Sequence, residues 1–353
     1  MKIPVILTCV GSQVAPSAIQ CIKNHPIHEV VLIGVDTKRR EDSVGAPFVD
    51  QYYRVPMGDH PEYITAMLEI VQRTGARVIL PGSDEEALSL SAAASRFAGM
   101  GCTVACSAHE TVAFVVDKYR TMERLGECGV KVADICLFES LDELRRGADN
   151  LGFPGRPFVI KPRVSRGGRG FRVVRNQVDP YEGYMAGDNT TIDFDGLQRL
   201  FEKVEDKMKR FFLMEYLPGK KYSTDILVRD GRMKAVVIRN KIFPVGSPTQ
   251  LADIVFDEDL ISYAQSVMEV FPFDYFVQLE IGRDETGKPK LVEINPRLDA
   301  TLPICLGIGI NFYHEMIRHA LGEPYSENVR IVRGQMPGPR FYRYWQHLFV
   351  KEV

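Results

Sequence analysis

The sequence predicts an α/β protein in which a doubly wound parallel sheet precedes a larger α+β region. The first third of the chain alternates apolar, strand-like runs with helix-like segments of the length that βαβ units need. Further along, apolar strands are joined by tight turns, and residues 276–297 have the pattern of an antiparallel hairpin. With 353 residues the chain is long enough for two or more domains.

The alternating segments begin with an apolar strand over residues 3–10, which a turn at Gly11 and Ser12 separates from a helical stretch ending near Asn24. Later strands are expected where apolar and β-branched residues cluster, and helices where apolar residues recur at helical spacing. The expected strands cover 30–35, 78–80, 103–105, 135–138, 157–160, 172–174, 211–215 and 236–239. The expected helices cover 61–74, 84–97, 111–117, a stretch ending near 127, and 142–150.

Composition and charge exclude several classes of protein. Forty-four basic against 46 acidic residues give a net charge of −2, and no block of like charge is long enough to bind a nucleic acid or a membrane surface. No run reaches the roughly 18 apolar residues of a membrane span, and the N-terminal segment lacks the pattern of a signal peptide. The seven cysteines include no C-x-x-C pair. We therefore expect a cytoplasmic protein that binds neither nucleic acid nor membrane.

The turns of the first third give no strong signal of chemistry. A dinucleotide fingerprint needs three glycines at fixed offsets, and the turn after the first strand supplies only Gly11. Ser83 or Asp84 begins the helix that follows the strand at 78–80, and helix capping explains either residue there. We therefore expect no NAD site in this part of the chain.

A basic, glycine-rich loop follows the strand at 157–160. Its three glycines allow positive φ and expose consecutive backbone N–H groups that can hold anionic oxygens. The Walker order G-x-x-x-x-G-K-[ST] is absent, because Lys161 precedes the glycines. The loop is a candidate phosphate-binding flap, and a hairpin with solvated arginines is the alternative.

Four oxygen-bearing side chains lie on the predicted hairpin. Gln278 and Glu280 are two residues apart on one strand, and Glu293 and Asn295 are two apart on the next, so each pair shares a face. Oxygen ligands from neighbouring strands suit Mg²⁺, which also keeps waters and substrate phosphates. Arg297 follows, and its guanidinium could clamp a phosphoryl group.

Five motifs together resemble, in order and spacing, the ATP-grasp superfamily, and most nearly its carbamoyl-phosphate-synthase-like branch. They are Asp117-Lys118, Ile160-Lys161-Pro162 with its glycine loop, the runs 214–219 and 222–225, and Glu293-Ile294-Asn295-Pro296-Arg297. The resemblance implies a Rossmann-like pre-ATP-grasp domain followed by a two-lobed α+β ATP-grasp fold. It places the first domain at 1–108 and the ATP-grasp domain at 109–330, with lobes of about 109–213 and 214–330. A C-terminal segment, 331–353, would pack on the second lobe.

The resemblance also implies how ATP is held. Lys118 and Lys161 would bind the α- and β-phosphates. Three glycines would close over them: Gly167, Gly168 and Gly170. Three hinge residues would meet the adenine: Glu215, Tyr216 and Leu217. Many members have a ribose-binding Glu in the following segment, whereas this chain has Lys220 and Lys221, so the resemblance leaves ribose recognition open.

Metal and catalytic roles follow from the same resemblance. Mg²⁺, for which Mn²⁺ could substitute, would be bound by Glu293 and Asn295, with Gln278 or Glu280 as the ligand from the partner strand. Arg297 would stabilise an acyl phosphate, and Arg239 could face the phosphoryl transfer as well. Related enzymes often have small residues after the arginine, whereas this chain has a different loop at 298–301.

The activity that the resemblance implies is ATP-dependent ligation of a small-molecule carboxylate to an amine through an acyl phosphate. A phosphotransferase, in which the phosphorylated group is the product, is the first alternative. A nucleotide-binding protein without turnover is the second. The aromatic and basic run at 337–345 could pack on the second lobe, line the acceptor pocket or form an oligomer contact, and a homodimer is expected from the frequency of two-fold oligomers.

Overall fold

The computed structural model describes residues 2–165, 168–188, 190–243, 249–333 and 337–349. The chain divides into two compact units. Unit one comprises Met1–Ala113, Tyr222–Leu279 and Ile294–Val353, and unit two comprises Phe114–Lys221 and Glu280–Glu293. Since the chain enters each unit more than once, neither unit is one continuous segment, and the domain boundaries expected from the sequence remain a prediction.

The first sheet of unit one is parallel throughout. Its strands are β1 (Lys2–Thr8), β2 (Glu29–Asp36), β3 (Gln51–Arg54), β4 (Val78–Leu80) and β5 (Thr103–Val104). They lie in the order β3-β2-β1-β4-β5, and each neighbouring pair is parallel. The helices between them are α1 (Ala15–Lys23), α2 (Tyr63–Thr74), α3 (Asp84–Ala92) and α4 (Ala94–Ala98). The doubly wound domain expected from the alternating pattern is confirmed.

Unit two contains a mostly antiparallel sheet. Between α5 (His109–Val115) and the end of this sheet the elements are α6 (Lys118–Glu127), β6 (Ile135–Leu137), α7 (Leu141–Asn150), β7 (Phe158–Pro162), β8 (Arg172–Arg175), α8 (Pro180–Ala186), β9 (Thr191–Asp193), α9 (Phe194–Glu202) and β10 (Phe211–Glu215). The strand order is β6-β10-β7-β8-β9, and only β8 and β9 pair in parallel. Leu213 packs in one core and Phe212 in another, as the two-residue period of a strand requires.

A third sheet is formed by the second half of the chain. Its elements and flanking helices are β11 (Lys221–Arg229), β12 (Arg232–Phe243), β13 (Leu251–Val255), α10 (Glu258–Met268), β14 (Tyr275–Arg283), β15 (Pro289–Asn295), α11 (Phe312–Ala320) and β16 (Pro337–Tyr342). The strand order is β15-β14-β11-β12-β13-β16, so the expected hairpin is β14 and β15. Among the described residues, no helix has the length and apolar character needed to cross a membrane.

The first sheet does not have a core of its own on both faces. Val5 and Leu7 of β1 share one apolar cluster with Ile254 of β13, Leu302 and Phe312. Alternate residues of the same strand, such as Ile6, point into a separate cluster beneath α2 and α4. One face of the parallel sheet is therefore completed by residues that come some 200 positions or more later in the chain.

Polar side chains cap the helices that begin near the candidate site. Ser83 Oγ accepts a hydrogen bond from Glu86 N of α3, which confirms the expected cap. Asp117 Oδ1 accepts from Tyr119 N and Arg120 N, and so caps α6 immediately before Lys118. The cap fixes the point at which the backbone carries Lys118 into the helix.

Candidate active site

Lys161 of β7 is a buried cation in unit two. Only 3% of its surface is exposed, and its Nζ lies 5.3 Å from the ring centroid of Phe212, its neighbour across the sheet. Nζ donates a hydrogen bond of 2.6 Å to the carbonyl oxygen of Val292 on β15. Burial lowers the pKa of Lys161 to about 7, although Glu293 opposes the shift. An anion next to this ammonium group would therefore stabilise its charge.

Lys118 lies beside the same segment of β15. Its Nζ donates to the carbonyl oxygen of Ser165 at 2.5 Å and is 3.9 Å from Oε2 of Glu293. Lys118 and Lys161 thus converge on neighbouring residues of one strand. Two ammonium groups around one carboxylate leave an excess of positive charge, which suits a polyphosphate.

Arg163 is a supporting residue that the sequence analysis did not single out. Its guanidinium binds Asp117 through both nitrogens, with Nη2 at 2.6 Å and Nε at 3.1 Å from Oδ2. Its carbonyl oxygen accepts a hydrogen bond from Lys118 N. Asp117 therefore caps α6 and also ties that helix to the end of β7. In the sequence, Arg163 stands two positions after Lys161, where it is not distinguishable from the other arginines of the basic loop.

The glycine loop is described in part. Gly168 and Gly170 have φ of 70° and 75°, a conformation that glycine adopts without strain. A Cβ on Gly170 would lie 2.6 Å from Cγ of Pro162, so this position also needs glycine for space. Gly167, the remaining glycine predicted to cover the phosphates, lies outside the described residues, as does Arg166.

The three hinge residues are placed differently from one another. The carboxylate of Glu215 accepts hydrogen bonds from Lys290 Nζ at 2.6 Å and from Asp134 N at 3.1 Å. Leu217 is buried against Gly282. The Tyr216 ring has the cations of Arg175 and Lys221 within 6 Å of its centroid. Because the Glu215 side chain is already held, contact with a base at this position would fall to the backbone.

Gln278 and Asn295 belong to a buried polar network in unit one. Gln278, 1% exposed, donates from Nε2 to Oδ1 of Asp225 and accepts at Oε1 from Asn295 Nδ2, each at 3.0 Å. Both ends of the Gln278 amide are therefore engaged within the protein. Glu280, two residues further along β14, is half-buried and assigned to unit two with Glu293. This difference in burial favours Glu280 over Gln278 as the metal ligand from β14.

The donor set fits a magnesium ion held jointly with a phosphate. Among the described residues there is no group of three or more His, Cys, Asp or Glu side chains that could hold a metal alone. Mg²⁺ needs no such cage, because it is commonly bound through one or two carboxylates together with substrate phosphates. Glu293, partly exposed and beside both lysines, is placed for this chemistry.

Arg239 is a buried arginine held by two carboxylates in unit one. It is 1% exposed, and its Nη2 donates to Asp225 Oδ1 at 2.9 Å and to Asp299 Oδ1 at 3.0 Å. Burial raises the pKa of Asp225, with Arg239 opposing. Burial would also raise the pKa of Asp299, but Arg239 and then Arg297 outweigh it and the pKa is lowered well below the usual value. Sequence analysis did not assign a role to either aspartate.

Arg297 is anchored by partners on both sides. Its Nε donates to Asp84 Oδ1 of α3 at 3.1 Å, and its Nη2 donates to Asn295 Oδ1 at 3.2 Å. Nη1 donates to the carbonyl oxygen of Leu298 and lies 4.0 Å from Asp299. Asp84, expected only as a capping residue, therefore also orients the candidate catalytic arginine.

Two family models match the chain. Residues 207–336 match the model described as ATP-grasp in the biosynthetic pathway with Ter operon, and residues 5–105 match the PylC-like N-terminal domain. The chain therefore contains an ATP-grasp region, which the first match places at residues 207–336. The Glu293-to-Arg297 motif lies within the first match, and the parallel sheet of unit one lies within the second.

Solved structures have the same fold as this chain. N5-carboxyaminoimidazole synthetase from Staphylococcus aureus with ADP has a TM-score of 0.70 at 13% identity, covering 96% of this chain and 82% of that one. The biotin carboxylase domain of Hydrogenobacter thermophilus 2-oxoglutarate carboxylase, solved as a dimer with MgADP, ADP and bicarbonate, has a TM-score of 0.68 at 19% identity, covering 92% and 72%. At 13% and 19% identity, the similarity establishes that this chain shares the fold of these two structures.

Two curated relatives of the chain are longer than the regions they share with it. The propionyl-CoA carboxylase alpha chain of Ruegeria pomeroyi is 22% identical over 292 residues, which is 80% of this chain and 40% of that protein. Formate-dependent phosphoribosylglycinamide formyltransferase of Wolinella succinogenes is 30% identical over 135 residues, which is 36% of this chain and 33% of that protein. The matches thus span only a third to two fifths of these relatives' lengths.

Proposed function

We propose that this ATP-grasp protein is an ATP-dependent carboxylate–amine ligase. A carboxylate oxygen attacks the γ-phosphorus of ATP, the bond to the β-phosphate oxygen breaks, and ADP leaves. An amine nitrogen then attacks the acyl carbon of the resulting acyl phosphate, phosphate leaves, and the nitrogen loses a proton to water. The observation that carries the proposal is the convergence of Lys118 and Lys161 on the β15 segment that holds Glu293.

The two lysines supply charge neutralisation for the triphosphate. Phosphoryl transfer needs little covalent chemistry from the protein, so positioning and electrostatic stabilisation account for most of its catalysis. Bound Mg²⁺ would neutralise phosphate charge in the same place. Its proposed protein ligands are Glu293 and Asn295, with Glu280 or Gln278 from β14. Glycines 168 and 170 are proposed to cover the phosphates, together with Gly167.

The arginines are proposed to act on the transferred group and its surroundings. Arg297, fixed by Asp84 and Asn295, is the proposed partner of the acyl phosphate. Arg239 is fully buried between Asp225 and Asp299. We therefore assign Arg239 a positioning role, in which it holds Asp299 beside Arg297. The substrates are proposed to be a small-molecule carboxylate and an amine.

The assembly proposed for the chain is a homodimer. It is supported by the biotin carboxylase structure described above, which was solved as a dimer, and by the general frequency of two-fold homo-oligomers. Mass measurement in solution tests it directly. The cytoplasmic location expected from the sequence stays a prediction.

ADP release from Mg-ATP tests the ligase function. Carboxylates and amines are supplied singly and in pairs, and wild type is compared with Glu293→Ala. We expect release that requires one particular pair and falls at least about 100-fold in the variant, a loss in the range of removing one electrostatic contact to the transition state. Glu285→Ala is the matched control, because Glu285 lies in the same hairpin and is exposed, paired with surface Arg156 at 3.3 Å.

Two outcomes would contradict the ligase assignment. Release that needs a single acceptor and no amine would identify a phosphotransferase. Mg-ATP binding without ADP release for every pair, with no difference between wild type and Glu293→Ala, would identify a nucleotide-binding protein without turnover.

A further inference from the structure

Unit one contains a cavity that none of the candidate ATP-site residues lines. Its volume is about 590 Å³, within the range of small-molecule sites. Four parts of the chain line it: the turn before α1 with the start of that helix, the segment that follows β2, Pro303, and residues 341–348 of the closing segment. The cavity is therefore built by the aromatic and basic run that the sequence left without an assigned function.

The charges around this cavity are of one sign. Arg343 is the one Lys or Arg among the described residues that line it, and none of those residues is acidic. Nη2 of Arg343 donates to the carbonyl oxygen of Ala300 at 2.8 Å, whereas Nη1 is buried and has no hydrogen-bond partner within the described part of the chain. A buried donor without a partner destabilises the folded protein. Because Nη1 is buried, its contact with a ligand requires the guanidinium to turn toward the cavity, where a carboxylate can supply two acceptors in parallel.

The start of α1 adds to the positive potential. Gln13, Val14, Pro16 and Ser17 line the cavity, so the wall includes the first turn of that helix. Val14 occupies the capping position and offers no side-chain acceptor. The N-terminal end of a helix carries partial positive charge, which favours an anion; in α1 this charge acts without the first two N–H groups, because Pro16 has none and Ala15 N already donates to Ser12 O. The helix and Arg343 therefore select the same sign of ligand.

The rest of the wall is rich in aromatic rings. Phe48, Phe341, Tyr344 and Trp345 all line the cavity. Tyr344 and Trp345 are 72% and 52% exposed, although such large rings are usually buried. Stacking on a planar ligand would cover part of that surface. The walls thus match an apolar or aromatic body, and Arg343 matches an anionic end.

We propose that this cavity binds a small-molecule carboxylate with an aromatic or apolar body, whose carboxylate pairs with Arg343. Its role as the carboxylate substrate rests on the ligase function proposed above. Arg343 is bonded to Ala300, three residues beyond Arg297 in the sequence and adjacent to Asp299. The cavity wall is therefore joined to the loop that follows the proposed acyl-phosphate arginine.

The chain's single tryptophan makes the proposal directly testable. Because Trp345 lines the cavity, tryptophan emission reports on its occupancy. We titrate the full-length protein, without nucleotide, with 3-phenylpropionate, 4-hydroxybenzoate and N-acetylphenylalanine, and with the neutral amide of each. We expect a saturable change in emission for at least one carboxylate, with an apparent Kd at least about tenfold lower than for its amide.

Variants at Arg343 and at Arg340 separate a specific contact with the ligand carboxylate from a general effect of positive charge. Arg343→Gln is expected to remove the preference for carboxylate over amide, and Arg343→Lys to keep part of it. Arg340→Gln is the matched control, since Arg340 is paired with Asp253 at 2.6 Å and does not line the cavity. Calorimetric titration of Trp345→Phe, which has no tryptophan signal, checks that binding itself persists. Circular dichroism verifies that each variant is folded.

Three results would overturn the proposal: no saturable change with any of the three carboxylates, equal affinity for carboxylates and amides, or a preference that Arg343→Gln leaves intact while folded. A change in emission that follows protein concentration and not ligand concentration would instead assign these aromatic rings to a contact between copies of the chain. Because the titration contains no ATP, its failure leaves the ligase function standing. Conversely, absence of ADP release leaves the carboxylate site standing.

Discussion

Lys161 combines complete burial with a position between a carbonyl oxygen and an aromatic ring. Its pKa in the folded protein, about 7, lies below the value of 10.5 expected for an exposed lysine. Between these two values the unfolded chain binds more protons than the folded protein, so stability rises with pH across this window. Below pH 7 the lysine is charged in both states, and the full cost of burying the charge remains.

Lys161→Met should therefore stabilise the protein in the absence of nucleotide. We expect the free energy of unfolding to rise by about 2 kcal/mol at pH 7 or below, and the gain to shrink toward zero as the pH approaches 10. Urea denaturation at several pH values measures this. Lys203→Met, at an exposed position, should change stability by less than about 0.5 kcal/mol. A loss of stability in Lys161→Met at pH 6 would contradict the prediction.

Asp225 determines the orientation of two amide side chains. An ionised carboxylate only accepts hydrogen bonds, so it takes Nε2 of Gln278 and turns Oε1 toward Asn295. That oxygen in turn takes Nδ2 of Asn295, which leaves Asn295 Oδ1 directed at Arg297. One carboxylate thus sets which atom of Asn295 is presented to the candidate site.

Removing Asp225 should be costly because Arg239 stays buried. We expect Asp225→Leu to lower the free energy of unfolding by about 3–5 kcal/mol, the usual effect of deleting one partner of a buried ion pair. The double variant Asp225→Leu with Arg239→Met should recover at least half of that loss, because no guanidinium is left unpaired. Chemical denaturation of wild type, Asp225→Leu, Arg239→Met and the double variant measures the coupling between the two residues. Strictly additive losses of stability would show that the pair is not coupled.

Site residues that stand in a recognisable motif are predictable from the sequence. Site residues that are recognised only by their contacts in the folded protein are not. Lys118, Lys161 and Glu293 stand in recognisable runs, and the structure brings them together. Arg163 and Asp299 have no such run, because their partners lie 46 and 60 positions away in the chain. Their roles follow from tertiary packing, which periodicity does not encode.

The loop between β7 and β8 depends on two glycines that differ in their surroundings. Both have positive φ, but a Cβ at Gly170 would meet Pro162 at 2.6 Å, whereas no atom of the described residues lies within 4 Å of one at Gly168. We expect Gly168→Ala to cost about 1 kcal/mol from backbone strain, and Gly170→Ala to cost about 1–3 kcal/mol more from overpacking. Thermal unfolding of the two variants measures the difference. Equal losses would mean that Pro162 moves aside freely.

Regular elements were predicted best where the alternation was strongest. The strands of the parallel sheet were expected close to their observed positions, apart from the short β3. The helix expected over 84–97 is divided into α3 and α4 at Ala93, within a run of alanines and serines that has no strong period. Neither β11 nor β13 was predicted, because their burial depends on strands that are distant in sequence.

At the scale of the whole molecule, nucleotide binding should raise overall stability. A ligand that binds only the folded state adds about 2.7 kcal/mol at 100 times its Kd. We expect Mg-ADP at that ratio to raise the melting temperature of wild type. Lys118→Met should bind at least about tenfold more weakly and lose at least about half of the shift at the same ADP concentration. Lys203→Met should behave as wild type, and an unchanged shift in Lys118→Met would argue against Lys118 as a phosphate ligand.

The fold class was predictable because each part of it has a local pattern. The extent of each unit was not, because the first 113 residues share a core with segments beyond residue 222. A strand that is apolar on both faces indicates that both faces are buried, but not which part of the chain covers them. That information lies in packing between residues far apart in the chain.

The shared core of unit one also determines when this unit can fold during synthesis. During synthesis, Val5 and Leu7 leave the ribosome long before Leu302 and Phe312, which pack against the same face. The first segment of unit one ends at Ala113, roughly 190 residues before Leu302. Translation at about 5–20 residues per second takes roughly 10–40 s to cover that length of chain. For that interval the nascent chain displays an apolar sheet face to the cell, so its yield should depend on chaperones more than that of a chain whose first domain closes by itself.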